Sequence, residues 1–91
     1  MSTKKLPEPT VKVMLAHPEK VGGVEVDHLV MRRPKVRDNI AASKAYKDAT
    51  EQAAAVIASL CEIPLDEVTA FDMANWTILE AQYVAFTKAS S

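Results

Sequence analysis

The sequence predicts an α+β fold, an N-terminal β-hairpin followed by three to four α-helices. Three observations carry this. Apolar residues alternate with polar ones over the first third of the chain and flank a glycine pair, Gly22-Gly23. After Pro34 the apolar period changes from two to about 3.6. The 91 residues suffice for one domain only.

Residues 1–9 hold charges and two prolines and are expected to form a flexible arm. The domain then spans 10–87, with the hairpin over 10–33 and the helices over 35–87. In the first strand Val11, Val13 and Leu15 alternate with Lys12 and Met14. Pro18, Gly22 and Gly23 punctuate the next stretch, so 17–23 is expected to turn. The second strand carries Val24, Val26, Leu29, Val30 and Met31. Its parity slips at Asp27-His28, and a bulge there would turn Leu29 and Met31 inward. Two strands alone are marginal in water, so a helix must cover Val11, Val13, Leu15, Leu29 and Met31.

Val36 and Ile40, four apart with Ala41 beside them, predict a helix over 35–45. Asp48 with Glu51 three residues later fits a capping box, opening a helix over 49–61. Ala53, Val56, Ile57, Leu60 and Cys61 form its apolar stripe. Pro64 ends it, and Leu65 to Val68 reads as one helical turn. Asp72 caps the last helix, 73–87, which carries Met73, Trp76, Leu79, Tyr83 and Phe86 on one face. The tail 88–91 is polar and expected to fray.

Composition excludes several functions. Eleven basic and twelve acidic residues leave a net charge of −1, unlike a general polyanion binder. The one cysteine rules out an internal disulfide and suits a reducing compartment. Cys61, His17 and His28 lack paired metal-ligand spacing, so no metal is expected. The two glycines are adjacent, which leaves no phosphate loop or dinucleotide fingerprint. Asp48, Glu51, Asp66 and Glu67 sit where helix N-termini favour negative charge, so capping explains them better than acid–base work. No catalytic residue and no cofactor are expected, and the chain reads as no enzyme. No apolar run approaches the ~20 residues of a membrane span. The polar opening lacks a secretory h-region, so the cytoplasm is the expected compartment.

Two features remain for partners. Arg32, Arg33, Lys35 and Arg37 could contact phosphate. They also suit a strand edge blunted by charge, or an acidic protein partner, and no aromatic residue lies beside them. On the last helix Ile78, Ala81, Val84 and Ala85 point away from the expected core face, with little chain left to cover them. Self-association is open to a domain this small.

The order of elements resembles the tail assembly chaperone family of Mu-like and related contractile-tailed phages and prophages. The residues that carry the resemblance are Val21-Gly22-Gly23-Val24, then Leu29 to Pro34 with its basic pair, then Val36-Arg37-Asp38-Asn39-Ile40. The alanine-rich segment Ala53 to Cys61, the loop Ile63-Pro64, the turn Leu65 to Val68 and Asp72 complete it. Lys35 and Asn75 depart from the pattern, where a small or hydroxyl residue and a second acid are usual. The resemblance implies a chaperone in the host cytoplasm that binds the tape measure protein and helps recruit tail tube subunits. The near-neutral charge and the lack of aromatics beside the basic cluster argue against a specific nucleic acid, and the lack of a long apolar run against a membrane. Ile78, Ala81, Val84, Ala85, Arg32 and Arg33 are the expected partner contacts. A small nucleic-acid-binding or regulatory module using residues 32–37 is the alternative, and a structural tail component is another.

Overall fold

The structure, a computed structural model, describes residues 10–88. The expected arm over 1–9, and residues 89–91 of the tail, lie outside the described residues. The elements are β1 (Thr10–Val21), β2 (Val24–Arg32), α1 (Val36–Ala45), α2 (Ala49–Cys61), α3 (Leu65–Thr69) and α4 (Met73–Thr87). This is the α+β order expected, with four helices.

β1 and β2 form an antiparallel two-stranded sheet. The turn is tighter than the expected 17–23. Val21 pairs with Val24, so Gly22 and Gly23 alone connect the strands. Their φ angles are 60° and 81°, the double positive φ of a type I′ hairpin turn. β1 therefore continues through Pro18.

A break in register makes that possible. Met14 pairs with His28, and the next pair is Glu19 with Val26. Residues 15–18 of β1 thus face Asp27 alone. The parity slip read at Asp27-His28 is real: Val26 is half-buried against the core, while Leu29 and Met31 are buried. The extra residues, however, belong to the opposite strand. Pro18, which has no N–H, sits in this unpaired stretch, where no ladder bond is lost.

Asn75 of α4 serves the backbone groups that β2 leaves open. Its Oδ1 accepts from the Ala16 N–H at 2.8 Å and the His17 N–H at 3.1 Å. Its Nδ2 donates to the His17 carbonyl at 2.9 Å and to Glu19 Oε2 at 2.6 Å. Asn75 is fully buried, and four bonds use its amide well. Glu19 Oε2 also accepts the Asp72 N–H at 2.7 Å, at the start of α4. At the hairpin tip Glu67 Oε2 accepts the Gly22 N–H at 2.9 Å.

α2 and α4 begin where short polar side chains take up orphan N–H groups. Asp48 Oδ2 accepts from the Glu51 N–H, and Asp72 Oδ1 from the Ala74 N–H. α2 ends on Glu62 in the left-handed region, φ 59°. The hairpin lies over two helices, β1 on α4 and β2 on α2, while α1 and α3 flank α2. Val13, Leu29, Met31, Val56, Ile57, Leu60, Leu79 and Phe86 form the main core, with Val11 and Leu15 packed against it. Met73 departs from expectation, being 71% exposed. The buried side of α4 is set by Asn75, Leu79 and Phe86, and Met73 lies about 120° round the helix from Leu79.

Candidate functional site

The basic cluster is partly consumed by the fold. Arg32 grips Asp38 with both terminal nitrogens, Nη1 to Oδ2 at 3.0 Å and Nη2 to Oδ1 at 2.9 Å. Asp38 Oδ2 also accepts the Lys35 N–H at 2.7 Å, tying the start of α1 to the end of β2 across Pro34. The Arg32 guanidinium holds the Asp38 carboxyl below the usual carboxylate range. Arg33 donates to the Phe86 carbonyl at 3.1 Å, and its guanidinium lies 5.2 Å from the Phe86 ring centroid. That carbonyl belongs to the last turn of α4, where a cation is favoured. Both arginines expected to meet a partner thus make contacts within the chain, Arg33 from an exposed position. Lys35 and Arg37 are exposed.

The groups with chemistry are dispersed. Cys61 is half-buried, and burial pushes its thiol up to about 11. It is therefore a neutral thiol at physiological pH. His28 Nδ1 and Asp27 Oδ1 lie 2.8 Å apart at the surface. Among the described residues no three of His, Cys, Asp and Glu are grouped to hold a metal ion.

The outer face of α4 is open. Ala81, Val84 and Ala85 are exposed, as expected, with Val84 at 49%. Ile78 differs: it is half-buried and packs against the main core. It follows Asn75 by three residues and precedes Leu79 and Gln82, so it rides the edge of the buried side. α4 carries a single charge over its fifteen residues, Glu80.

Two open hollows meet the first turns of α2. The larger, 450 Å³, lies between α1, α2 and α4 and is lined by Ile40, Ser43, Ala49, Ala53 and Tyr83 among others. The smaller, 230 Å³, lies between α2, α3 and α4, with Thr50, Ala54, Phe71, Met73 and Trp76 in its wall. No charged residue lines either one, although a quarter of the chain is charged. A hollow beside the hairpin tip is the opposite, walled by Glu19, Lys20, Glu25, Asp66 and Glu67. The uncharged pair exists because α2 and α4 barely touch. Small side chains on the first turns of α2 leave the space, and half-buried aromatics on α4 border it. The Tyr83 hydroxyl reaches Asn39 Oδ1 of α1 at 3.2 Å across one end.

Trp76 and Tyr83 read from the sequence as core residues, and the hollows were not foreseen. The available signal was the run of small residues at Ala49, Thr50, Ala53 and Ala54, which cannot fill the space beside a neighbouring helix.

A protein-family model described as "Phage tail assembly chaperone proteins, E, or 41 or 14" matches residues 12–88. No curated protein and no solved structure matches the chain.

Proposed function

The chain belongs to the phage tail assembly chaperone family, and from that premise we propose that it binds the tape measure protein through apolar helical segments. The observation that carries this reading is the smaller hollow between α2, α3 and α4, whose wall of Ala54, Val68, Phe71 and Trp76 is mostly apolar and is bordered by exposed Met73. An amphipathic helix laid into a groove buries its apolar stripe against such a surface. Burial is worth about 25 cal/mol per Å² of apolar area. Loss of freedom on association offsets part of that gain, which suits a partner held and then released.

Ala81, Val84 and Ala85 extend the contact beyond the hollow. Recruitment of tail tube subunits and self-association belong to the same reading, through exposed Val36 and the outer strand residues Met14 and Val30. The reading needs no catalytic group, and it places the chain in the host cytoplasm during assembly. No helix among the described residues is long and apolar enough to cross a membrane.

Co-expression with the tape measure protein of the same genome tests this. The tape measure protein should remain in the soluble fraction and be captured with the tagged chain. Equal aggregation with and without the chain, and no capture, would defeat the reading.

A further inference from the structure

We propose that the outward side of α1, with the open hollow beside it, docks an acidic amphipathic helix of a separate chain. Apolar side chains of that helix cover Val36 and Ile40, and two of its carboxylates meet Arg37 and Lys44. This goes beyond the tape measure reading and uses a different surface from the smaller hollow.

α1 is built with its apolar side outward. Its one buried residue is Ala42. At about 100° per residue, Val36, Ile40, Lys44 and Arg37 fall on the side opposite Ala42, and all four are exposed. Val36, at 77%, is the most exposed large apolar side chain among the described residues, and Ile40 is 49% exposed. A helix that served only to cover α2 would turn these two residues inward. Four apart, they form a short ridge. Ile40, with Asn39 and Ser43, also lines the larger hollow between α1, α2 and α4, so open space adjoins the ridge.

The charges define the partner. Arg37 and Lys44, seven residues apart, stand on one border of the ridge, about 10.5 Å from each other along the axis. Lys35 and Lys47 are exposed at the two ends of α1. Among the described residues none of these four cations is in an ion pair. The one carboxylate between residues 35 and 47 is Asp38. It lies on the inward side, where Arg32 already holds it. The surface is therefore apolar in the middle and cationic along one border. Its complement is an apolar stripe with acids along one border. A phosphate backbone would pair the cations and leave Val36 and Ile40 uncovered. A second copy of this chain fits less well. α1 laid on α1 sets cation against cation, and the exposed Ala81, Val84 and Ala85 of α4 share their helix with a single carboxylate, Glu80.

The probe is a fluorescently labelled, alanine-based peptide of about 20 residues, long enough to hold helix, with leucine at i and i+4 and glutamate on both borders of that stripe. Anisotropy of the label should show saturable binding. Replacing the glutamates by lysine, or the leucines by serine, should weaken it about tenfold or more. Val36→Ser should weaken binding of the glutamate peptide with the thermal melt unchanged. Arg37→Glu combined with Lys44→Glu should invert the preference, favouring the lysine peptide, a gain that misfolding cannot mimic. No binding of the glutamate peptide, equal binding of the lysine peptide, or a double variant with unchanged preference overturns the proposal. So does a single-stranded oligonucleotide that displaces the peptide and binds the Val36→Ser chain equally well, which would make the occupant a nucleic acid. Self-association of the wild-type chain in sedimentation that Val36→Ser abolishes would make it a second copy, and overturns the proposal too. The chaperone reading stands or falls separately, on capture of the tape measure protein by the wild-type chain, which none of these peptides enters.

Discussion

The two flanks of α4 are built from different chemistry. Toward the hairpin, Asn75 and Glu19 stitch the helix to β1 with hydrogen bonds of 2.6–3.1 Å, Leu79 and Phe86 are buried, and Arg33 clips the far end. Toward α2 there are two uncharged hollows and one exposed hydrogen bond, Tyr83 to Asn39. Buried polar networks allow one arrangement, because any other leaves donors and acceptors without partners. Apolar contact is non-directional and tolerates many arrangements. The hairpin flank therefore fixes the frame, and the α2 flank is left free to accept another surface.

The largest expected effect comes from breaking the stitched flank. Asn75→Leu strands two N–H groups and a carbonyl of β1, and each such orphan costs about 1–3 kcal/mol where water cannot reach. A loss of about 4 kcal/mol is expected in urea unfolding, a large share of the total for a domain this small. Asn75→Asp sharpens the point. Its carboxylate still accepts from Ala16 and His17, but it faces the Glu19 carboxylate where an amide now donates. The pair should retain a proton in the folded state, so folded-state affinity for protons rises above that of the unfolded chain. Stability of Asn75→Asp should therefore recover as pH falls toward 5, unlike Asn75→Leu. Identical pH profiles for the two variants would show that the network does not hold α4.

A smaller effect separates Ile78 from Val84, six residues further along α4. Ile78 packs against the core, so Ile78→Asp should cost about 2 kcal/mol or more. Val84 is 49% exposed, so Val84→Asp should shift stability by no more than about 0.5 kcal/mol. Thermal melts of both read whether the border between the flanks falls where the structure puts it.

The Arg32–Asp38 fork is a smaller stitch. The Arg32 and Asp38 side chains are 24% and 7% exposed, so Arg32→Ala should cost about 1–3 kcal/mol by leaving the carboxylate unmatched. Asp38 has its carboxyl pKa depressed in the fold. Its contribution is therefore present above the ordinary carboxylate value of about 3.9 and is lost as pH falls below it. Wild-type protein should lose more stability than Arg32→Ala between pH 5 and pH 2 (about those limits), as measured by urea midpoints.

The sequence made the helices legible because their signals are local. Asp48 and Asp72 cap α2 and α4 where expected, and Pro34 and Pro64 stand just before α1 and α3. The inward turn of Leu29 and Met31 was legible from the parity slip. The length of β1 was not. Pro18 reads locally as a turn, and the groups that keep the strand extended past it come from Asn75, 58 residues beyond His17. That same Asn75 looked from the sequence like a departure from the family pattern, with no partner in view. Arg32 and Arg33 illustrate the opposite case. Their clustering was visible, but Phe86 lies 53 residues from Arg33, and no local pattern reveals that a charged patch is already paired. The hollows were invisible for a third reason: an empty space depends on which helices adjoin, which no single element encodes.

The smallest effect on stability should carry the clearest effect on function. Met73 is 71% exposed at the mouth of the smaller hollow. Its side chain stands outside the buried side of α4, so Met73→Gln removes little that folding uses. The change in unfolding free energy should stay within about 0.5 kcal/mol, the range of ordinary surface substitutions. The thioether is flexible and polarizable, a side chain suited to varied apolar partners. Glutamine keeps the length and loses that character, and a helix docked over the hollow would have to desolvate its amide without a hydrogen bond. Capture of the tape measure protein should therefore fall while the melt is unchanged. Asn75→Leu would show the converse, a lower melt with capture intact in whatever fraction remains folded. If Met73→Gln lowers the melt as well, the open flank is part of the frame, and the division of α4 into a fixed side and a receptive side does not hold.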